Sequence, residues 1–384
     1  MAHQTSGGSN TAVLTAPGAL NGDLTTAASD GSKRRALYLK LFSGEMFKGF
    51  QRNTIARDLV TKRTLKNGKS LQFIFTGRTT SEYHTPGNSI LGNDDNAPPV
   101  AEKTITVDDL LISSAFVYEL DETLAHYDLR GEISRKIGYA LAENYDRKIF
   151  RKITQAARTA SPVSKTNFKE PGGTQVRVGD GSAKANGLVA TSLVNAFYDA
   201  AAALDEKGVS QDGRVGVLSP RQYYALIQET GTNGLVNRDV QGSSLQSGQG
   251  IVEIAGIKIY KSMNVPHFGQ YGVNYTETSE PDPGNKGDFT EASMANEHNI
   301  TVNNYGEGSK FANSCGLIFQ KEAVGVVEAI GPQVQVTSGD VSVIYQGDVI
   351  LGRLAMGADV LNPASAVELY AGASDATGAA LTNW

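Results

Sequence analysis

Apolar and polar positions change period several times along this chain, and each change marks an element. Residues 1–31 show no period: Gly, Ser, Thr, Ala and Asn dominate, and such a stretch cannot bury enough apolar surface to order itself, so it reads as a mobile arm. From Ser32, SKRRALYLKLFSGEMFKGFQRNT sets Leu37, Leu41, Phe47 and Phe50 at helical spacing among lysines and arginines. That is a short amphipathic helix, interrupted at Gly44. Between Thr64 and Tyr118 lie two strand-like stretches, SLQFIFTGRT and KTITVDDLLISSAFVYEL, joined by the turn-rich HTPGNSILGNDDNAPPVAE. The layout predicts a long hairpin with an irregular tip. A two-stranded hairpin alone is marginal in water, so this one needs a surface to lie against, such as another subunit.

The most regular segment runs from near Asp121, a suitable N-cap, to about Ala157. Leu129, Ile133, Ile137, Leu141, Tyr145, Ile149 and Ile153 recur every fourth residue, with Arg, Lys, Glu and Asp between them. At about 1.5 Å per residue this helix spans on the order of 50 Å, a spine rather than a lid. A strict four-residue step drifts around a helix, so its apolar stripe must meet several elements in turn.

A loop rich in Gly, Lys and Thr follows from Ser161 to Gly187, with a short hairpin expected at QVRV. Beyond it, SLVNAFYDAAAALDEKGV predicts a helix ended by Gly208, GRVGVLSP a buried strand, and PRQYYALIQET a helix with proline in its first turn. GIVEIAGIKIYKSMNVP alternates about a central glycine, as a hairpin does. His267–Phe311 reads as a polar surface excursion, after which CGLIFQKEAVGVVEA and VSVIYQGDVILGRLAMGADVLNP restore strand character. The tail beyond Gly372 reads as loose. The fold class is α+β.

At 384 residues the chain exceeds a usual single core, and 40% hydrophobic with 20% charged residues fits a folded protein. A net charge of -5 argues against a dedicated nucleic-acid binder, and one cysteine, Cys315, excludes an intrachain disulfide. No run approaches the roughly 20 apolar residues needed to cross a bilayer, and the N-terminus lacks a secretory layout. No membrane partner is expected.

Candidate chemistry is thin. Gly68-Lys69-Ser70 resembles the end of a phosphate loop, but Arg63 stands where the first glycine belongs and a strand follows, so Asn67-Gly68 is read as a turn. Gly179-Asp180-Gly181 completes no dinucleotide fingerprint. His3, His84, His126, His267 and His298 are too scattered for a metal site. Cys315 opens an apolar strand and is read as a small buried hydrophobe, and Asp108 and Asp109, neighbours on a strand, point apart. The expectation is a protein that is not an enzyme, with no cofactor, metal or small-molecule substrate. A soluble hydrolase using Cys315 or the Gly68-Lys69-Ser70 turn is the reading from another class. The basic cluster Lys33, Arg34, Arg35, Lys40 and Lys48 is read as a contact with an acidic neighbouring subunit rather than a solvated face or a contact with packaged DNA.

Taken in order, ALYLKLFSGEMFKGF, GKSLQFIFTGRTTSEYHTPG, KTITVDDLLISSAFVYELDETLAHYDLR, RVGVLSPRQYYALI, IAGIKIYKSMNVPH, GLIFQKEAVGVVEA and RLAMGADVLNPASAVEL resemble the major capsid proteins of T-seven-like short-tailed phages. The resemblance covers roughly Ser32 to Gly372, and the longer tail departs from it. It implies the HK-97-type coat fold. In that division, residues 1–63 are an N-terminal arm with its short helix and 64–104 an extended loop. Residues 105–187 are a peripheral domain with the spine helix at about 121–157, 188–325 an axial domain, and 326–384 a return to the peripheral domain followed by the tail. It further implies pentamers and hexamers in an icosahedral shell, a scaffolding protein, a portal, packaged double-stranded DNA, and assembly in the bacterial cytoplasm. The extended loop of one subunit would lie over the spine helix of the next, with Arg78 and Tyr83 on the loop and Glu132, Arg135 and Glu143 on the helix as contact candidates. A cellular nanocompartment shell enclosing cargo protein is the alternative within the same fold.

Overall fold

The structure, a computed structural model, describes residues 55–77, 79, 81, 83–88, 98, 100–108, 110–119, 129–160, 164–165, 168–169, 171–179, 187–228, 253–266, 314–336 and 346–371. The expected mobile arm, the basic helix after Ser32, the Asp121 cap, the excursion from His267 to Phe311 and the tail beyond Gly372 lie outside the described residues.

Alternating apolar residues make the hairpin: β2 (Ser70–Thr76) runs antiparallel to β3 (Val100–Thr106), with Ser70 opposite Thr106 and Thr76 opposite Val100. Asn67-Gly68 supplies the turn before β2, Gly68 taking φ +94° where only glycine sits without strain. Among the described residues the two strands form a sheet by themselves.

KTITVDDLLISSAFVYEL, expected as one returning strand, is two. The hairpin closes where the Val107 N–H donates to the Lys69 carbonyl at 2.8 Å, and the Asp108 N–H donates instead to the Met356 carbonyl at 3.2 Å. β4 (Leu111–Tyr118) then joins β13 (Gly347–Val360) in antiparallel register, Leu111 opposite Leu354 and Tyr118 opposite Gly347. With β1 (Thr61–Thr64) and β12 (Val324–Val336) they form a four-stranded sheet ordered β1-β12-β13-β4. No apolar pattern marks β1. TKRT holds no apolar residue, and backbone pairing with β12, Thr61 opposite Gly325, is what recruits it.

The chain divides into two compact units, one holding Asp108–Ala142 and Ile330–Met356, the larger holding Arg52–Val107, Glu143–Ala329 and the chain from Gly357. The helix α1 (Leu129–Arg158) has residues in both. In the smaller unit its residues Ile133, Ile137 and Leu141 pack with Val117 of β4 and Ile350 of β13. Gly352 permits that approach, since a Cβ there would overlap the Ile137 side chain and lie 2.8 Å from Leu141 Cδ1.

In the larger unit α1 is buried on more than its stripe. Tyr145, Ile149, Phe150, Ile153, Ala156 and Ala157 are buried as their spacing predicts, but so are Asp146, Arg147, Arg151 and Lys152. The charged residues between the apolar positions are therefore mostly inside from Asn144 onward, and burial makes each of them need a partner.

The same unit contains β7 (Thr174–Arg177), β8 (Arg214–Leu218), β9 (Glu253–Ile254), β10 (Ile257–Lys261), β11 (Ser314–Gln320) and β14 (Ala366–Tyr370), a mixed sheet in the order β7-β14-β11-β8-β10-β9. The helices α2 (Ala190–Glu206) and α3 (Pro220–Gln228) bury Leu193, Phe197, Leu204 and Leu226 with Ile257, Cys315, Ile318, Val367 and Leu369 of the sheet. Gly208 ends α2 at φ +73°, and Ala255-Gly256 turns β9 into β10 with φ of 51° and 76°. QVRV is not a hairpin: as β7 it lies parallel to β14, Val367 opposite Thr174, and the small hairpin of this loop is β5 (Ser164–Lys165) with β6 (Phe168–Lys169).

Candidate functional site

Two features stand out as surfaces that could do work: the hairpin, and the carboxylates that tie other segments to α1. At the hairpin root, Ile105 is 1% exposed and Val107 is buried. The root passes so close to β13 that a Cβ on Gly357 would overlap the Thr106 carbonyl. The two faces of the ribbon differ: Leu71, Phe73, Phe75 and Ala101 on the face of Ile105 are half-buried, while on the other face Ile74 is 74% and Val100 64% exposed. Lys103 of β3 places its Nζ 2.9 Å from Asp359 Oδ2, and Lys152 of α1 places its Nζ 3.6 Å from Oδ1 of the same carboxylate. Burial lowers the Lys152 ammonium, and Asp359 offsets part of that.

Nearly two turns earlier on α1, Asp146 grips the segment that precedes β1. Its carboxylate accepts the Ile55 N–H at 2.9 Å, the Ala56 N–H at 3.1 Å and Asn264 Nδ2 at 3.3 Å. Burial outweighs these bonds and pushes its pKa up to about 6. Beside it, Arg57 donates twice to Glu328 of β12, at 3.1 and 3.0 Å, and the Tyr145 hydroxyl donates to Glu328 at 2.9 Å. Burial pushes Glu328 up, but Arg57 and Tyr145 more than reverse it, and the carboxyl titrates below its usual range. Burial and the neighbouring carboxylate raise the Tyr145 phenol, which therefore stays a donor.

At the C-terminal end of α1, Arg158 makes two 2.6 Å bonds to Glu368 of β14, a fully buried carboxylate that also accepts from Ser314 Oγ at 2.7 Å and Gln175 Nε2 at 2.8 Å. Each of these clusters joins segments distant in the chain. Cys315 is closed off. It is fully buried, accepts from Gln222 Nε2 at 2.7 Å, and burial pushes its thiol up to about 12, far from a nucleophilic thiolate at neutral pH.

Of the residues singled out in the sequence, Tyr83 is fully exposed. Glu132 is buried and already pairs with Arg135 at 3.1 Å, while the Arg135 side chain keeps 47% of its surface in solvent. Glu143 lies 3.6 Å from buried Arg147. Lys33, Arg34, Arg35 and Arg78 lie outside the described residues. The structure thus brings Glu132 and Arg135 together and joins neither of them to Glu143. Sequence reasoning missed Asp146, Glu328, Asp359 and Glu368. A carboxylate inside the apolar strands VGVVEAI and AVELY was the available signal for Glu328 and Glu368. Asp146 and Asp359 carried none.

Known proteins resemble the chain over most of its length. The family model described as Gp10A-like major capsid protein matches residues 73–370. The major capsid protein of Escherichia phage T7 is 26% identical over 359 residues, spanning 91% of this chain and 95% of that one. The major capsid protein of Enterobacteria phage T3 is 24% identical over 337 residues, spanning 86% and 90%. Among solved structures, the capsid of cyanophage P-SCSP1u superposes with a TM-score of 0.67 at 32% identity, covering 91% of this chain and 98% of that one. The mature capsid of bacteriophage PhiM1, at 17% identity and a TM-score of 0.61 over 90% and 97%, shares the fold. With the matched residues spanning most of its length, this chain belongs to the Gp10A-like major capsid protein family, as an HK-97-type coat protein that assembles into the shell of a tailed phage.

Proposed function

We propose that the chain forms pentamers and hexamers of an icosahedral shell enclosing double-stranded DNA, each hairpin lying over the α1 helix of a neighbouring copy. The observation that carries this reading is the hairpin: among the described residues β2 and β3 pair with no third strand, and Ile74 and Val100 stand exposed on them. An isolated two-stranded ribbon with an apolar surface is unstable alone and is stabilised by a partner that covers it. Many such contacts, each modest, sum around a closed shell.

In this reading residues 1–63 are the arm, 64–104 the extended loop, 105–187 the peripheral domain, 188–325 the axial domain, and 326–384 the return and tail. Tyr83 and Arg78 on the loop, Glu132, Arg135 and Glu143 on the helix, and Lys33, Arg34 and Arg35 near the arm are the contact residues. A scaffolding protein and a portal are the further partners, assembly takes place in the host cytoplasm, and the role is structural, not catalytic. Deleting Thr85–Pro99 tests the contact: soluble subunits that fail to close shells in electron microscopy are expected, and normal shells would remove the idea.

A further inference from the structure

Beyond its buried root at Ile105 and Val107, the hairpin is tied by ion pairing to the rest of its subunit at a single side chain among the described residues. Asp359 Oδ1 accepts the Val360 N–H at 2.9 Å, which fixes the carboxylate on β13. Oδ2 then takes Lys103 of β3 at 2.9 Å, while Oδ1 faces Lys152 of α1 at 3.6 Å. Lys152 Nζ also lies 3.1 Å from Gln155 Oε1, so it too is held in place. Hairpin, helix and sheet strand therefore meet at one carboxylate, just beyond the point where Gly357 lets the Thr106 carbonyl approach β13.

Two cations on one anion make the junction asymmetric. With Asp359 neutral, Lys103 and Lys152 remain as like charges at the pivot, and each opposes the other. On the face of the ribbon that carries Lys103, Phe73, Phe75 and Ala101 are only half-buried, while Glu102, Val100 and Ile74 on the other face are exposed, so little packing opposes that repulsion. The hairpin would swing away from its root.

We propose that Asp359 is a positioning residue for assembly, holding the hairpin in the pose from which it reaches a neighbouring copy. The pose concerns the subunit alone; its use rests on the contact reading above.

Hydrogen exchange by mass spectrometry on the unassembled full-length chain tests this, with particle yield measured in parallel. In Asp359→Asn, amides of 70–76 and 100–106 should exchange about two- to fivefold faster, the loss expected of one partly exposed ion-pair junction. Lys103→Met should do less, because it removes a cation as well as a contact. Adding Lys103→Met to Asp359→Asn should recover part of the protection, and Asp359→Glu most of it. A merely structural loss would not be repaired by a second deletion. Unchanged exchange in Asp359→Asn, or a double variant no better protected than the single one, overturns the proposal. Yield decides the contact reading separately: lost protection with wild-type yield would leave Asp359 as the hairpin's anchor and sink the hairpin contact.

Discussion

Asp146 shows how one buried residue sets a pH signature. Burial raises its pKa to about 6 from 3.8. A carboxyl whose folded pKa lies above the unfolded one contributes stability that is fully present below the unfolded value and is lost as pH rises through the folded value. Relative to Asp146→Asn, which cannot titrate, the wild-type chain should therefore gain stability between pH 7 and about 4, by about 1–3 kcal/mol. Glu328 works in the opposite sense and in a lower window. Its depressed pKa means that its stabilisation is present above its unfolded value of 4.5 and is lost as pH falls through the folded one. Thermal unfolding of both proteins from pH 7 to 4.5 separates the two, because the difference between them follows Asp146 alone. A difference that stays constant with pH would show that Asp146 is not the titrating group.

At the scale of elements, the approach of α1 to β13 depends on a missing side chain. Gly352→Ala should push Ile137 and Leu141 off the strand and destabilise the smaller unit by about 1–3 kcal/mol, the usual cost of overpacking. Gly331→Ala on β12 is the control, since its Cβ meets nothing within 4 Å. Equal melting temperatures for the two variants would contradict the packing described. The apolar stripe that meets this strand is legible in the sequence because burial at every fourth residue leaves its mark in residue type, from Ile133 to Ile153. The hairpin strands are legible from alternation, and the β9–β10 turn from its glycine at positive φ. The break after Val107 is not: the carbonyls of Lys69 and Met356 that claim successive N–H groups are backbone, and backbone partners leave no trace in residue type. Nor is the clasp at Asp146, whose donors lie about ninety positions away in the chain on Ile55 and Ala56. Lys152 shows the other limit, since on a helix read from sequence it looks like any solvated lysine.

For the whole molecule, a net charge of -5 means that copies of the chain repel one another at long range, so assembly has to be driven by short-range contact and should strengthen with moderate salt. Ile74 separates the two contributions. It is 74% exposed in the subunit, so Ile74→Asp removes almost nothing from the subunit's own core and should leave its melting temperature within about 1 °C. In a shell whose hairpins are covered, the same change removes an apolar contact worth about 1–2 kcal/mol and adds a charge that must be desolvated. The concentration at which particles first appear, followed by light scattering, should rise by about tenfold or more. Added salt should restore only the part due to repulsion, because screening acts on charge and cannot replace the lost apolar contact. Assembly of Ile74→Asp at the wild-type concentration would mean that this face of the hairpin stays in water in the shell, and the contact would then have to be sought on the opposite face, at Leu71, Phe73 and Phe75.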